Sequence, residues 1–564
     1  MKTTRRSFLS QLGTGLGAVA LAPGFRALNA KEVPLPLFKP GEYKKIDSQT
    51  RQFHLSVTVR ELLNEGLQEN NKPMPANPDA IKMNAESMAA LWKEAGVTDI
   101  WLCPYHFGRF IDVDVFDDAV RRAMDFGYKV HFITVPVGHP DSYPTDMPDI
   151  QARWKPYEHF DGSSGWGVSV HEGCAEDCVK SVRKIADTYG PCDVFLDDDF
   201  RFAVQPQNVG GCVCAECRAD FMQKSGFSEA RWDSLLADLR ASRDTKDLRL
   251  WLDYFCDRMT KTFRDTQAAA PEVDLGIMIM GMGSEKAGIR LDDYKDALVR
   301  VGEWMFNDAT YNLTKNKTIE LFSSLLHRRF VPAGRAFSET TIIQDLSAEN
   351  YTSKLSVSTL SDVRNTMFMC PIPASYWGLI APRMKRERDY HNRIVGVKAR
   401  GPFKHFWGLA DRYSYGYNAY SLFLALGVPF EVCDEIPEDG WTFLGDYSAM
   451  EMERGELATK GSQCVARINS DSGRFVQVPE TFEELFKFRK TLLEDFRKKG
   501  VPYVEEETPV TLSWYPEAKT VYLWNVENES KVVTVRLGDK TFSTTLKGLD
   551  SAMIVYDQEG MKLV

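Results

Sequence analysis

Three aspartates in succession end an apolar run: Val194-Phe195-Leu196-Asp197-Asp198-Asp199-Phe200-Arg201. Adjacent carboxylates repel one another, and burying all three would raise their pKa values. Along an extended strand, side chains alternate, so Asp197 and Asp199 point one way and Asp198 the other. An apolar strand feeding directly into three aspartates is a candidate site. A metal-binding loop and a solvated acidic loop are the other uses of such a triplet. Arg201 stands close enough in sequence to pair with the cluster and lower one of its pKa values.

A second group lies just downstream, in Gly210-Gly211-Cys212-Val213-Cys214-Ala215-Glu216-Cys217. Cys-x-Cys-x-x-Cys brings three thiolates to one point and lacks one ligand for tetrahedral zinc. Cys174 and Cys178 are the nearest candidates for the fourth. A closed set of four sulfurs leaves the metal no open position, so such a zinc is structural. The chain has 11 cysteines, an odd number, and they bunch between Cys174 and Cys217. Disulfides are the alternative, but cysteines one residue apart do not pair easily with each other, so that arrangement needs several partners from elsewhere.

The elements that must position these groups read as alternating short apolar runs and amphipathic helices. The runs are Phe53–Val59, Asp99–Cys103, Lys129–Val135, Asp193–Leu196, Asp274–Met280, Glu303–Asn307, Arg335–Ser338 and Asn365–Cys370. Helical patterns follow nearly every one: Ala80–Ala95, Phe116–Phe126, Ala175–Tyr189, Leu291–Val301, Thr318–His327, Tyr351–Val363 and Arg386–Val397. This is the alternation of a (β/α)8 TIM barrel, with the aspartates where the fourth strand ends on the catalytic face. An open doubly wound sheet shares the alternation, but no glycine-rich phosphate fingerprint follows the first strand.

After about residue 400 the pattern restarts. Lys404–Trp407, Phe430–Cys433, Trp441–Leu444 and Cys464–Asn469 read as short strands, with Tyr417–Leu426 and Ala449–Lys460 helical between them. A charged amphipathic helix, Phe482–Lys499, closes a small α/β flavodoxin-like unit. From Glu506 the chain turns all-β, with runs Val521–Asn525, Val532–Leu537, Thr541–Leu546 and Ala552–Tyr556 separated by turn formers. The expected division is a leader at 1–30, a barrel at 31–400, the α/β unit at 401–505 and a C-terminal β-sandwich at 506–564.

The leader rests on Thr4-Arg5-Arg6-Ser7-Phe8-Leu9, an apolar stretch from Leu12 to Ala22, and small residues at Ala27 and Ala30. Basic, apolar and small residues in that order make a signal peptide, and the arginine pair marks the twin-arginine route. The Tat export machinery is then a partner, and the mature protein is periplasmic or secreted. No stretch reaches the about 20 apolar residues that a membrane-spanning helix needs. A net charge of -10 argues against nucleic acid or anionic lipid as partners.

The triplet, the cysteine loop and the domain order together resemble the glycoside hydrolase family 42 β-galactosidases and related barrel glycosidases. In that family an Asp-Asn-Glu stretch follows strand four, and a Cys-x-Cys-x-x-Cys zinc loop follows with one earlier cysteine. The resemblance implies a (β/α)8 barrel, a carbohydrate substrate, a structural zinc and trimer contacts through the small α/β unit. It lays Asp197-Asp198-Asp199 over Asp-Asn-Glu, which makes Asp199 the general acid/base and Cys174 the earlier zinc ligand. It makes Glu339, in Ala336-Phe337-Ser338-Glu339-Thr340, the nucleophile at the end of strand seven. Asp199 is one methylene shorter than the family's Glu, and Asp198 stands where the family has Asn.

Glycoside cleavage needs one carboxylic acid to protonate the leaving oxygen and one carboxylate across the sugar. Glu303, Asp308 and Asp345 are rival carboxylates for the second role. Asp197, Asp198, Arg201, His106, His139 and Asn307 could line the cleft beside them, with Trp377 as a stacking platform. The expected function is a secreted retaining glycosidase. A non-catalytic glycan-binding barrel and a hydrolase or lyase using a metal at the aspartates are the alternatives.

Overall fold

The computed structural model describes residues 37–39, 41–47, 54–59, 89–106, 109–110, 113–135, 153–165, 171–197, 200–202, 209–279, 285–302, 307–340, 346–370, 376–413 and 420–564. The leader expected at 1–30 lies outside them.

Eight parallel strands form a closed barrel. They are β1 (His54–Val59), β2 (Asp99–His106), β3 (Lys129–Val135), β4 (Asp193–Leu196), β5 (Asp274–Met278), β6 (Leu298–Gly302), β7 (Ala336–Glu339) and β8 (Asn365–Cys370). Each strand pairs with its neighbours in chain order, and β1 pairs with both β2 and β8, which closes the ring. Alternation along the strands sorts the side chains into two cores. Trp101, Cys103, Ile133, Phe195, Met278, Leu298, Phe337 and Met367 fill the barrel interior. Ile100, Leu102, Phe132, Val194, Leu196, Ile277 and Val299 face outward and join the core beneath the helices.

Those helices are α1 (Val113–Asp125), α2 (Glu172–Tyr189), α3 (Ala215–Ser225), α4 (Lys246–Ala269), α5 (Thr314–Arg328), α6 (Ala348–Ser361) and α7 (Trp377–Ile394). Their ends follow local chemistry. Thr245 caps α4 by accepting from Leu248 N at 3.1 Å. Gly226 ends α3 in the left-handed region at φ 69°.

The sixth strand differs from the expectation. The run Glu303–Asn307 was expected to carry it and Leu291–Val301 to be helical, but the strand is Leu298–Gly302, preceded by a short 3-10 turn at Leu291–Tyr294. Arg300, a charge in mid-strand, masks the apolar run, and its partner lies far away in sequence on β7.

The segment Leu37–Asp47 crosses the N-terminal end of the barrel. Leu37 N donates to Tyr189 O, Tyr43 OH donates to Asp193 Oδ1 at 2.5 Å, and Arg335 donates to Ile46 O at 3.0 Å. Beneath it His131 lies between Asp99 (2.8 Å) and Asp193 (2.9 Å), with Trp101 stacked on its ring. Burial disfavours the imidazolium, but hydrogen bonds to Asp193 and Asp99 outweigh it and hold the pKa up at about 9. A cavity of about 330 Å³ lined by Tyr43, His54, Asp99, Trp101 and His131 opens here, at the N-terminal end of the barrel strands.

Beyond residue 400 the chain builds, among the described residues, a large sheet and a smaller one. Its strands are β9 (Phe403–Phe406), β10 (Leu426–Cys433), β11 (Trp441–Leu444), β12 (Gln463–Ala466), β13 (Val476–Gln477), β14 (Tyr503–Val504), β15 (Val510–Tyr515), β16 (Thr520–Asn525), β17 (Lys531–Leu537), β18 (Lys540–Leu546), β19 (Ser551–Tyr556) and β20 (Met561–Leu563). The large sheet runs β13-β12-β11-β9-β10-β15-β16-β19-β20 and continues across residue 505, because β15 pairs parallel to β10. The small sheet β14-β17-β18 packs on its C-terminal half through Val504, Leu512, Leu523, Val533, Val535 and Ile554, giving a β-sandwich.

The helix expected over Tyr417–Leu426 is instead, in its described part, a 3-10 turn at Leu422–Ala425 leading into β10. The helix α8 (Phe482–Lys499) lies where the sequence places it, capped by Thr481 and ended by Gly500. Leu321 and Phe322 of α5 share a core with Phe403 and Phe423, which seats this unit against the barrel. No helix among the described residues is long and apolar enough to cross a membrane.

Candidate active site and metal centre

Glu339 is the last residue of β7 and shares the parity of Phe337, so it belongs to the barrel interior at the C-terminal face. Arg300 of β6 shares the parity of Leu298 and meets it there. Arg300 Nη1 donates to Glu339 Oε2, and neither side chain has any solvent exposure. A register shift between Phe337 and Ser338 skips Val301 on β6, so that Ser338 stands opposite Gly302. The carboxylate is therefore held by a guanidinium from the neighbouring strand at the mouth of the barrel.

Asp197 follows β4 directly and has the parity of Phe195. It is buried, its N–H donates to Thr134 O at 2.9 Å, and its carbonyl accepts from Phe200 N at 2.8 Å. Asp198, Asp199, His139 and the side chain of His106 lie outside the described residues, as do Glu303 and Asp345. Arg201 is buried close to the same turn.

Two expected cleft residues are engaged elsewhere. Trp377 is 1% exposed and opens α7 within the core under the helices, so it offers no stacking face. Asn307 caps the short helix Asp308–Tyr311 by accepting from Thr310 N at 2.8 Å. The rival carboxylate Asp308 is likewise occupied. Its Oδ1 accepts from Ser347 N (2.8 Å) and Asn350 Nδ2 (2.9 Å) at the start of α6.

The cysteine loop forms a cluster with a different fourth member from the one expected. Cys212, Cys214, Cys217 and His171 bring their donor atoms within 4.8 Å of one another, all buried. His171 Nε2 stands 3.6 Å from Cys212 Sγ and 3.9 Å from Cys214 Sγ and Cys217 Sγ. Zinc–sulfur bonds of about 2.3 Å and a zinc–nitrogen bond of about 2.0 Å give tetrahedral edges of roughly 3.5–3.8 Å. The four donors therefore fit one tetrahedral metal ion.

Cys174 is not among them. It sits in the first turn of α2, buried, with its N–H on His171 O at 3.0 Å. Cys178 is also a core thiol, pushed up to about 12 by burial. His171 is the residue just before α2, so the fourth ligand comes from the element the sequence indicated but three residues earlier. Cysteine spacing alone does not indicate it, although Cys3His is a common structural set.

Cys212 and Cys217 are hydrogen-bonded to each other, which holds the Cys212 thiol well below its ordinary value and pushes that of Cys217 well above it. Cys212 Sγ also accepts from Glu158 N at 3.3 Å. Arg258 Nη1 lies 3.2 Å from Cys217 Sγ, and Lys155 bonds both Cys214 and Glu216. A dication with three thiolates carries one net negative charge, which these two cations offset. None of the ten cysteines with described side chains is in a disulfide.

No protein-family model matches the sequence, and no curated protein does either. Solved structures do share the fold. A β-galactosidase from a Rahnella species superposes with a TM-score of 0.59 at 10% identity, over 93% of this chain and 100% of that one. A family 42 β-galactosidase from G. stearothermophilus gives 0.56 at 11% identity, over 92% and 99%. A β-galactosidase from the psychrophilic Marinomonas ef1 gives 0.57 at 11%, over 89% and 99%. The chain thus has the architecture of these enzymes from barrel to C-terminal sandwich, and at this identity the likeness is one of fold.

Proposed function

We propose that the chain is a glycoside hydrolase that cleaves O-glycosidic bonds of a glycan or oligosaccharide by a retaining two-carboxylate mechanism. The observation that carries this is Glu339, a carboxylate at the end of β7 in the barrel interior, held by Arg300.

Glu339 attacks the anomeric carbon as Asp199 delivers its proton to the leaving oxygen. A covalent glycosyl-enzyme results. Asp199, now a carboxylate, takes a proton from water, and that water displaces the sugar from Glu339 with net retention. Asp197 is anchored by its backbone to β3 and supports the turn that leads to Asp199. The Cys3His set would hold zinc through His171, Cys212, Cys214 and Cys217. With its coordination closed, the ion would cross-link the chain and take no part in proton or glycosyl transfer.

Export by the twin-arginine route to the periplasm or beyond fits this assignment. A thiolate site filled in the reducing cytoplasm escapes oxidation on the way out.

A panel of aryl glycosides tests the reading. The wild type should hydrolyse at least one with retained configuration, seen by proton NMR of the first-formed sugar. Glu339→Gly should lose turnover and regain it with azide as an external nucleophile. Asp199→Asn should lose most activity on poor leaving groups and less on good ones. Unimpaired turnover in either variant removes that residue from its role.

A further inference from the structure

We propose that the Cys3His centre is a clamp that sets the loops following β4 and β5 at the barrel mouth. Its four ligands come from two places in the chain, separated by 41, 43 and 46 residues. His171 immediately precedes α2, which leads into β4, and the cysteines follow the loop that leaves β4. A metal bound there ties the two ends of the segment that carries Asp197, Asp198 and Asp199. Closing a loop of this length removes conformational freedom that the protein chain alone must otherwise restrain.

The clamp reaches the mouth through backbone hydrogen bonds. Gly211 N donates to Phe202 O, and Phe202 N donates to Ala287 O, each at 2.7 Å. Gly210 N donates to Lys286 O, also at 2.7 Å, so the cysteine loop, the turn after β4 and the turn after β5 form one ladder. Val213 N bonds Glu158 O at 2.7 Å, and Glu158 N returns to Cys212 Sγ at 3.3 Å.

The ladder is pressed against α4. Gly211 has φ +123°, and a Cβ there would lie 2.7 Å from the Trp251 ring and 2.8 Å from Phe255. Trp251 Nε1 donates to Gly210 O at 3.2 Å. Glu285, at the start of the β5 turn, is gripped by Arg412 from beyond the barrel. Arg412 thus holds one end of the ladder, and the metal loop, seated on α4, forms the other.

Hydrogen–deuterium exchange on the full-length protein tests this, read peptide by peptide with metal content measured alongside. Removing the metal from wild type with a chelator should speed exchange at residues 200–202, 210–217 and 285–288 by about ten-fold or more. Peptides from β1 and β8 should keep their rates, and added zinc should restore the mouth. Gly211→Ala should loosen the same peptides while its metal content stays full.

Unchanged exchange in the metal-free protein overturns the proposal. So does acceleration of all eight strands alike, because the ion would then be holding the whole barrel. So does a purified protein without bound metal. The effect on turnover rests on Asp199 as the acid, and kcat should fall with metal loss more than KM changes. A wild type inactive on every glycoside would defeat the glycosidase reading, while the exchange data would still decide the clamp.

Discussion

Arg300 on β6 and Glu339 on β7 form an ion pair with no solvent exposure on either side chain. Two charges sealed in a barrel are tolerable only together. Removing one leaves the other without compensation, which typically costs about 3–5 kcal/mol.

Arg300→Met should therefore destabilise the protein by about 3 kcal/mol or more in denaturant unfolding. Arg300→Met combined with Glu339→Gln should recover much of that loss, since the buried charge is gone. Equal destabilisation in the double variant would show that packing, and not the pair, is what Arg300 supplies. Where Arg300→Met still folds, kcat should drop with little change in KM, and Arg300→Lys should restore part of it.

His131 gives a pH dependence that arises at the end of the barrel opposite Glu339. Its pKa is raised from 6.5 to about 9 in the folded protein. The stabilisation is fully present below the unfolded value and is lost as pH rises through the folded one. Thermal stability should decline between about pH 6.5 and 9, by up to roughly 3 kcal/mol from this group. His131→Asn should be less stable than wild type at pH 6 and should flatten that decline. A variant whose stability falls just as steeply over the interval would assign the decline to other groups.

Metal ligation separates two residues three apart. His171→Ala should lose bound zinc, measured as metal per chain after extensive dialysis. Cys174→Ser should keep it, because Cys174 is a core thiol outside the donor set. The opposite pattern would return the fourth position to sulfur.

Much of the fold is legible because the barrel's strands are short apolar runs and its helices are amphipathic. Trp441–Leu444 and Phe482–Lys499 match the structure end for end. What escapes the sequence depends on distant partners. The strand β6 is hidden by Arg300, whose charge makes sense only beside Glu339. The strand β10 has Gly427 as its second residue at φ +63° and contains Pro429, with an irregular register between Leu426 and Pro429, so it does not read as a strand there. The strand β15 pairs with β10, Val510 opposite Leu426, a non-local pairing with no local signal.

The site is legible to a similar degree. Three of the four candidate metal ligands announce themselves by spacing, whereas His171 is found only by its place before α2. In the sequence Glu339 is marked only by the family resemblance, whereas its parity with Phe337 on β7 gives it a physical place in the barrel. Trp377 looked available because aromatic residues near a strand end suit sugars, yet α7 buries it.

The segment Leu37–Asp47 also fixes a direction. It is fastened to Tyr189, Asp193 and Ile46's partner Arg335 at the end of the barrel opposite Glu339. In a variant that begins at Leu37, an affinity tag, a fluorescent reporter or a link to a solid support would be attached at that end of the barrel, and the mouth would be left facing away from it.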